Sequence, residues 1–341
     1  MGIIKRHRRL SILAGAAIVA VLVAGTAYMV GGYVVYDKLT RVATHCGGDY
    51  ATNTPASFSS DKLDATPYLM PDYDVVSFPS RGDPSVTISA FWVPGSAADS
   101  PAVIMVHGLG RCKRSPTVLL PAGMLHRLGY GVLLIDLRNE GESTVTNGRY
   151  AGGTVEYKDV LGAWDWLRAA KGLPASRIGL AGMSLGASTA LIAVGQESQV
   201  AAVWEDSGYS DIGVAISDEL ARNGYPTFLA PAGILVGRLQ GMDITSLGPL
   251  DTVAKLNGRP VAIIHCTGDT RMPVKHAYAL RDAIQAHGWK PYVWIVNGGE
   301  HVEAVVDHPD EYQSRLAEFW GPAIGVPAAL SPLAGALAPA A

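Results

Sequence analysis

A serine stands at the turn between a predicted strand and a predicted helix. A Gly-x-Ser-x-Gly motif, Gly182 to Gly186 with Ser184 at its centre, joins an apolar stretch over 177–183 to a run of small residues over 185–193. Glycine lacks a Cβ, so it lets backbone pass close to backbone in a sharp turn. A helix N-terminus also favours negative charge that develops beside it. The pattern predicts a nucleophilic serine, although the motif alone is weak because Gly and Ser are common in ordinary turns.

Other reactive side chains also follow predicted strands. Ligands bind outside the carboxyl ends of the strands in open α/β sheets, so residues placed there meet at one edge. After Ser184 the chain carries an aspartate and then a histidine, each at the end of its own strand. The residues and the strands they follow are His107 after 102–106, Asp136 after 131–135, Asp269 after 261–266 and His301 after 292–296.

The elements that must position these residues alternate along the chain. Apolar stretches typical of buried strands are separated by helical patterns, which predicts a mostly parallel eight-stranded sheet with helices on both faces. The predicted strands are 74–78 and 86–93, which form a hairpin, then 102–106, 131–135, 178–181, 200–204, 261–265 and 292–296. The predicted helices are 117–128, 155–170, 188–194, 274–286 and 310–320.

One interval, about 209–258, breaks the alternation. It contains two short helical patterns, 212–223 and 230–239, and no predicted strand. An insertion on the carboxyl side of a strand is a natural lid over a site, and a longer crossover connection is the alternative. Its apolar residues suit either an apolar substrate or packing of the lid on the core; they are Tyr225, Phe228, Leu229, Ile234, Leu235 and Val236.

The pattern of the N-terminal residues predicts that the rest of the chain is exported from the cytoplasm. A basic segment over 1–9 precedes an uncharged stretch over 10–36, which is long enough to span a bilayer with some tilt. The basic cluster would stay cytoplasmic and place the rest outside. We favour an uncleaved anchor; the alternative is a signal peptide with a cleavage site near Ala27, which would give a secreted protein. The segment 37–70 is predicted to be a linker or packed arm, and 322–341 a disordered Ala/Pro-rich tail.

Composition narrows the class of protein. The chain has 341 residues, of which 48% are hydrophobic and 17% charged, so a sizeable core is expected. A net charge of -3 and the lack of a basic stripe in the globular region argue against nucleic acid as a partner. Of the three cysteines, Cys266 is predicted to be buried, whereas Cys46 and Cys112 could pair outside the cell. No Cys or His cluster predicts a metal, and nothing predicts an oligomeric state.

The motifs at the strand ends resemble those of the α/β-hydrolase superfamily, whose members carry Ser, Asp and His in this chain order. Within it, the chain is similar to dienelactone-hydrolase-like proteins and to membrane-anchored bacterial serine hydrolases. The resemblance covers about 71–321, and Asn139 departs from it because Gly is usual there. The matching motifs are HGLG at 107–110, DLRNEGES at 136–143, GMSLG at 182–186, TGD at 267–269 followed by Pro273 and Val274, and the Gly153, Glu156 and Asp159 pattern.

Acyl-transfer chemistry then implies a catalytic triad. Ser184 would be the nucleophile, and His301 the base that accepts its proton and later protonates the leaving group. Asp269 would orient His301, with Asp206 as the alternative acid. Asp136 is expected to stabilise its own loop instead.

The tetrahedral intermediate needs two hydrogen-bond donors. The resemblance implies that they are the backbone N–H groups of Leu185 and Leu109, with Gly110 as the fallback for Leu109. His107 is expected to shape this oxyanion loop. Several other histidines in or next to the predicted strands and helices are expected to be structural or solvated: His265, His276, His287 and His308.

These expectations describe a membrane-anchored, extracytoplasmic serine hydrolase that cleaves carboxylic esters or thioesters of small molecules without a cofactor. One alternative is a peptidase of the prolyl-oligopeptidase type, although only about 70 residues precede the domain, too few for the usual propeller. A non-catalytic binding protein on the same fold is the other alternative. A haloalkane dehalogenase is disfavoured because it would need Asp in place of Ser184.

Overall fold

The computed structural model describes residues 2–327 and contains one eight-stranded sheet. The strands are β1 Asp74–Ser80, β2 Asp83–Val93, β3 Ala102–Val106, β4 Gly131–Ile135, β5 Ile178–Met183, β6 Ala202–Asp206, β7 Val261–Cys266 and β8 Tyr292–Val296. Their order in the sheet is β1-β2-β4-β3-β5-β6-β7-β8. Strand β2 is antiparallel to both of its neighbours, β1 and β4, and all other neighbouring strands are parallel.

Helices cover both faces of this sheet because successive strand residues point to opposite sides. The helices are α1 Gly2–Thr40, α2 Pro116–Arg127, α3 Tyr157–Ala170, α4 Leu185–Gln196, α5 Ile212–Arg222, α6 Ala230–Leu239, α7 Pro249–Val253, α8 Lys275–Ala286, α9 Ala304–Asp307 and α10 Pro309–Ile324. On β3, Val103 and Met105 belong to the core layer of α2 and α10, whereas Ile104 and Val106 belong to the opposite layer, which contains α3, α4 and α8.

The fold confirms the predicted α/β-hydrolase architecture, with a few corrections at element boundaries. Strand β6 lies two residues later than predicted and ends at Asp206. The hairpin turn is limited to Arg81 and Gly82, since β2 already begins at Asp83. Helix α10 continues through Pro322 to Ile324, so the predicted tail boundary at 322 is wrong. The rest of that tail, from residue 328 onward, lies outside the described residues.

The segment 37–70 is a packed arm in this structure. Helix α1 extends to Thr40, and the arm then places Phe58, Tyr68 and Met70 against the layer of α2 and α10. A disulfide joins Cys46 of the arm to the loop after β3. Its partner there is Cys112, whereas Cys266 is free and buried in β7, as predicted.

The lid interval folds into α5, α6 and α7, and it packs against the end of α1. An added Cβ on Gly32 would clash with the backbone of Ala232, and one on Gly233 would clash with Val35. Small residues therefore let α1 and α6 approach each other closely. The earlier part of α1 is solvent-exposed and apolar, with a mean hydropathy of 2.3 over its most apolar stretch.

Candidate active site

The turn between β5 and α4 is as sharp as the sequence predicts. Ser184 has φ 57° and ψ −124°, a strained conformation for a residue with a side chain. A Cβ on Gly182 would clash with the Gly186 carbonyl, and a Cβ on Gly186 would clash with the Val106 carbonyl. Both glycines are thus required by close backbone contact, and the turn presents Ser184 at the carboxyl end of the sheet.

Ser184, His301 and Asp269 form a continuous hydrogen-bonded chain. The His301 Nε2 atom lies 2.7 Å from Ser184 Oγ, and His301 Nδ1 lies 2.6 Å from Asp269 Oδ2. The other carboxylate oxygen of Asp269 accepts the N–H groups of Arg271 and Met272 at 2.9 and 2.7 Å. These backbone contacts hold the carboxylate in place, so the ring of His301 is oriented toward the serine.

A second histidine supports this carboxylate. His265, predicted to be structural or solvated, is buried with Nε2 at 2.6 Å from the Met272 carbonyl and 3.4 Å from Asp269 Oδ2. Burial raises the pKa of Asp269, but the hydrogen bonds from His265 and His301 outweigh it and hold the pKa well below its ordinary value. The carboxylate therefore stays ionised. The position of His265 one residue before the end of β7, four before Asp269, is the signal that could have revealed this contact.

Asp206, the alternative acid, is engaged elsewhere. Its carboxylate accepts the Tyr312 hydroxyl at 2.8 Å and the Ser207 hydroxyl at 2.8 Å. Among residues 2–327, no hydrogen bond joins Asp206 to His301. Its backbone carbonyl instead accepts the Ser184 N–H at 2.7 Å, which ties the turn to β6.

The loop after β3 lies directly against the serine. A Cβ added at Gly108 would stand 3.2 Å from the Ser184 Cβ. The N–H of Gly110, the fallback donor, is already bonded to the buried Glu140 carboxyl at 2.5 Å. Leu109 lies between these glycines and lines the same cavity as Ser184 and Leu185. Leu109 and Leu185, whose N–H groups are the predicted donors, thus both border the cavity beside Ser184.

Buried polar contacts stabilise the surrounding loops. His107 accepts the Leu137 N–H at its Nε2 atom, 3.1 Å away, and so links the loops after β3 and β4. Asp136 accepts the N–H of Glu142 at 2.8 Å within its own loop, as expected. It also accepts the N–H and the ammonium of Lys113, in the loop after β3, at 2.7 and 2.6 Å. Asn139 adopts φ 68°, a region that favours glycine and that Asn tolerates, which explains the departure from the usual Gly.

Two cavities border the hydrogen-bonded chain, one at the serine and one at the histidine. One, of 180 Å³, is lined by Ser184 and by apolar residues of the lid and of α1, such as Ile216 and Leu39. The other, of 530 Å³, is lined by His301 and by polar residues of the arm. Within the described residues, no group of three His, Cys, Asp or Glu side chains could hold a metal ion.

The sheet order and the strand-to-helix serine define a serine hydrolase of the α/β-hydrolase superfamily. The chain belongs to the prolyl oligopeptidase family, whose sequence model matches residues 120–325, more than half of the chain. A 31.7 kDa protein of Escherichia coli, described as uncharacterized and from the traX-finO intergenic region, is 27% identical over 142 residues. That match covers 41% of this chain and 48% of the relative, so the chain spans about half the length of the curated relatives it matches.

Solved structures share the fold. An esterase of Pyrococcus furiosus is 20% identical with a TM-score of 0.60, and the match covers 80% of this chain and 98% of the esterase. An α/β hydrolase of a Penicillium species is 17% identical with a TM-score of 0.60, covering 74% and 99%. An acylaminoacyl peptidase of Pyrococcus horikoshii is 18% identical with a TM-score of 0.54, covering 74% of this chain but 42% of the peptidase.

Proposed function

We propose that this protein hydrolyses carboxylic esters, or thioesters, through an acyl-enzyme intermediate on Ser184. The observation that carries the proposal is the hydrogen-bonded chain from Ser184 through His301 to Asp269. A serine hydroxyl is a weak nucleophile until a base accepts its proton, and His301 is within reach to do so. Asp269 keeps the proton of the neutral ring on Nδ1, so that Nε2 can act as the base.

The reaction has two halves. The Ser184 Oγ attacks the ester carbonyl while its proton moves to His301, and the N–H groups of Leu109 and Leu185 stabilise the resulting oxyanion. The ester C–O bond then breaks, and His301 gives its proton to the departing alcohol. Water then attacks the acyl carbonyl carbon while His301 accepts one of its protons. The bond between Ser184 Oγ and this carbon breaks, His301 returns the proton to Ser184, and the product leaves as a carboxylic acid. No cofactor is needed for these steps.

The surroundings of Ser184 favour an ester over a peptide. Its cavity has more apolar than polar wall, and the one carboxylate there, Glu219, is paired with Arg222 at 2.6 Å. A peptidase that recognises a free α-amine would need an unpaired carboxylate in this place. The Pyrococcus furiosus esterase also matches over nearly its whole length, whereas the acylaminoacyl peptidase contains a large additional part. The family match keeps peptide hydrolysis as the second candidate.

We also propose that α1 anchors the enzyme in a membrane with the catalytic domain outside the cytoplasm. The candidate span, Leu10–Thr40, has none of its most apolar stretch buried, unlike the core helix of a soluble protein. The basic residues before it favour a cytoplasmic N-terminus. The disulfide between Cys46 and Cys112 fits an oxidising compartment. The domain organisation proposed is a cytoplasmic 1–9, an anchor within 10–36, a packed arm to residue 70, and the hydrolase domain with its lid.

A fluorophosphonate probe tests the proposal directly, because it reacts with activated serines. The full chain, solubilised in detergent, should be labelled at Ser184 and should hydrolyse a butanoyl ester faster than the matching butanoyl amide. Ser184→Ala should abolish labelling and lower kcat/KM by at least about 10⁴-fold, since the nucleophile is lost. Before detergent is added, the protein should fractionate with membranes at the mass of the full chain.

Ser217→Ala is the matched control. Ser217 is half-buried on α5, and among the described residues its hydroxyl bonds only to the Gly213 carbonyl of its own helix. This variant should keep wild-type labelling and hydrolysis. A folded protein that neither reacts with the probe nor cleaves the ester would refute the catalytic proposal, and faster cleavage of the amide would favour the peptidase.

A further inference from the structure

The two cavities beside the catalytic chain have different chemistry, and the reaction proposed above assigns one half of the substrate to each. The acyl group becomes bonded to Ser184, whereas the alcohol receives its proton from His301. Ser184 lines the cavity under α1 and the lid, and His301 lines the cavity under the arm. The acyl group therefore belongs on the α1 side, and the alcohol on the arm side.

The acyl side continues away from the serine. A third cavity, of 450 Å³, shares Lys38, Leu39 and Glu219 with the cavity at Ser184, so the two form one groove. The walls of its outer part are mostly apolar and come from both α1 and the lid: Val34, Val35, Leu220 and Leu229. We name this the α1–lid groove. Its lining extends along α1 as far as Gly31.

The outer end of the groove falls at the level of the membrane surface. About 20 apolar residues span a bilayer, so a span that begins at Leu10 ends near Met29, two residues before Gly31. Tyr28 stacks on the exposed Phe228 of the lid, with ring centroids 6.4 Å apart. Aromatic rings are enriched at the boundary between membrane and water. The ion pair of Asp37 with Arg149, at 2.6 Å, lies beyond this level on the side of the catalytic domain.

The alcohol side is more polar than the acyl side. Apolar residues such as Leu120 and Val305 form part of the cavity at His301. The rest of its wall consists of hydroxyl, amide and charged groups of the arm and of neighbouring loops, including Tyr50, Asn53, Lys62, Arg111 and Glu303. Such groups bind a polar headgroup and disfavour a second hydrocarbon chain. The site as a whole is therefore amphipathic, with its apolar half directed toward the anchor.

We propose that the substrate is an amphiphilic ester held in the membrane, whose long acyl chain lies in the α1–lid groove and whose polar alcohol lies beside the arm. This inference rests on the proposed ester hydrolysis. The chain would slide from the bilayer along α1, so that the ester carbonyl reaches Ser184 while the tail remains between α1, α5 and α6. The anchor helix thus forms part of the substrate site as well as a tether.

Filling the groove should change selectivity for chain length. Val34 lines the outer groove, is 47% exposed, and can accept a larger side chain without disrupting the core. In full-length protein in detergent micelles, Val34→Trp should lower the ratio of kcat/KM for a dodecanoyl ester to that for a butanoyl ester by about tenfold, because roughly two methylenes lose their contacts. Val23→Trp, on the 64% exposed membrane-facing part of α1, is the control and should leave this ratio unchanged.

A second measurement locates the chain itself. A fluorophosphonate with a long alkyl chain and a terminal diazirine should label Ser184 and then cross-link, on irradiation, to α1 at 31–39 or to the lid at 220–229. Cross-links to Tyr50 or Lys62 of the arm would overturn the proposal, as would an unchanged chain-length ratio in Val34→Trp. If the wild-type chain neither hydrolysed the butanoyl ester nor reacted with the probe, the ester hydrolysis on which this proposal rests would be refuted instead.

Discussion

The catalytic floor and the roof above it are built in different ways. The floor consists of the loops that follow β3, β5, β7 and β8, and it is held by buried hydrogen bonds such as that between Asp269 and His301. The roof consists of the end of α1 with α5 and α6, and it is held by apolar packing of small residues such as Gly32 against Ala232. Directional bonds fix atoms in the floor, whereas the apolar contacts of the roof impose no particular direction.

This difference suggests a division of labour between the two regions. Reacting atoms must be placed to within about an ångström, because small displacements lower the rate steeply. An apolar chain is recognised mainly by the area it buries, so its groove needs no such accuracy. We therefore expect changes in the floor to alter the rate for every ester, and changes in the roof to alter the preference among esters.

The largest effect is expected in the floor from the two candidate acids. Asp269→Asn should lower kcat by about 10⁴-fold, because the ring of His301 would then be held in the wrong tautomer. Asp206→Asn should stay within about tenfold of wild type, because Asp206 bonds to Tyr312 and Ser207 rather than to His301. Steady-state kinetics with one butanoyl ester compare the two variants. A larger loss in Asp206→Asn would reverse the assignment of the acid.

The disulfide joins roof to floor, since it links the arm that follows α1 to the loop that carries Leu109. Its two cysteines are 66 residues apart, and closing a loop of that length stabilises the folded state by about 4 kcal/mol in the chain-entropy treatment. Replacing Cys46 and Cys112 together by Ser should therefore lower the Tm clearly. Reductant should lower the Tm of the wild type and leave the double variant unaffected. Equal Tm values for both proteins without reductant would contradict a stabilising link.

A smaller effect is expected from a buried carboxyl beneath the floor. Burial raises the pKa of Glu205 to about 7 from an ordinary value of 4.5, although the nearby His265 lowers it. Above pH 4.5 Glu205 loses its proton in the unfolded chain but keeps it in the folded state. The contribution of Glu205 to the free energy of unfolding is therefore fully present below that pH and is lost as the pH rises through 7. Glu205→Gln removes this ionisation. The variant should gain on the order of 2 kcal/mol over wild type at about pH 8 and no gain at about pH 5.

Thermal unfolding of both proteins at the two pH values measures this difference. The effects of the other buried carboxyls on stability cancel in the comparison, because both proteins contain them. A gain of the same size at both pH values would mean that packing, rather than ionisation, is responsible. The catalytic rate for the butanoyl ester should change less than in Asp269→Asn, because Glu205 has no hydrogen bond to the catalytic chain in the described part of the protein.

Much of the floor was predictable, and the misses there have physical reasons. All eight strands were expected. Six of them leave a continuous apolar signal because they are covered on both faces, and the hairpin strands β1 and β2 were expected from their alternation. The end of β6 was placed two residues early, because Glu205 and Asp206 are charged and yet buried. His265 was left without a role, because its contact with Asp269 depends on how the loop after β7 folds back.

The roof could not have been derived in the same way. The apolar residues of the lid looked equally suited to bind a substrate or to pack on the core. Their helical pattern did not indicate that α1 would be the helix they pack against. Tyr28 and Phe228 are 200 residues apart, yet the Tyr28 hydroxyl lies 3.2 Å from the Phe228 carbonyl. Contacts at such separation depend on the path of the whole chain, which no local pattern records.

The sequence by itself determined the sheet, the sharp turn at Ser184 and the order of serine, aspartate and histidine. It could do so because each depends on local rules: strand periodicity, the absence of a Cβ in glycine, and the position of loops at strand ends. Only the tertiary structure showed that Asp269 rather than Asp206 bonds to His301, paired Cys46 with Cys112, and placed α1 beside the lid. Those outcomes depend on distances between segments far apart in sequence, and packing of the complete chain sets these distances.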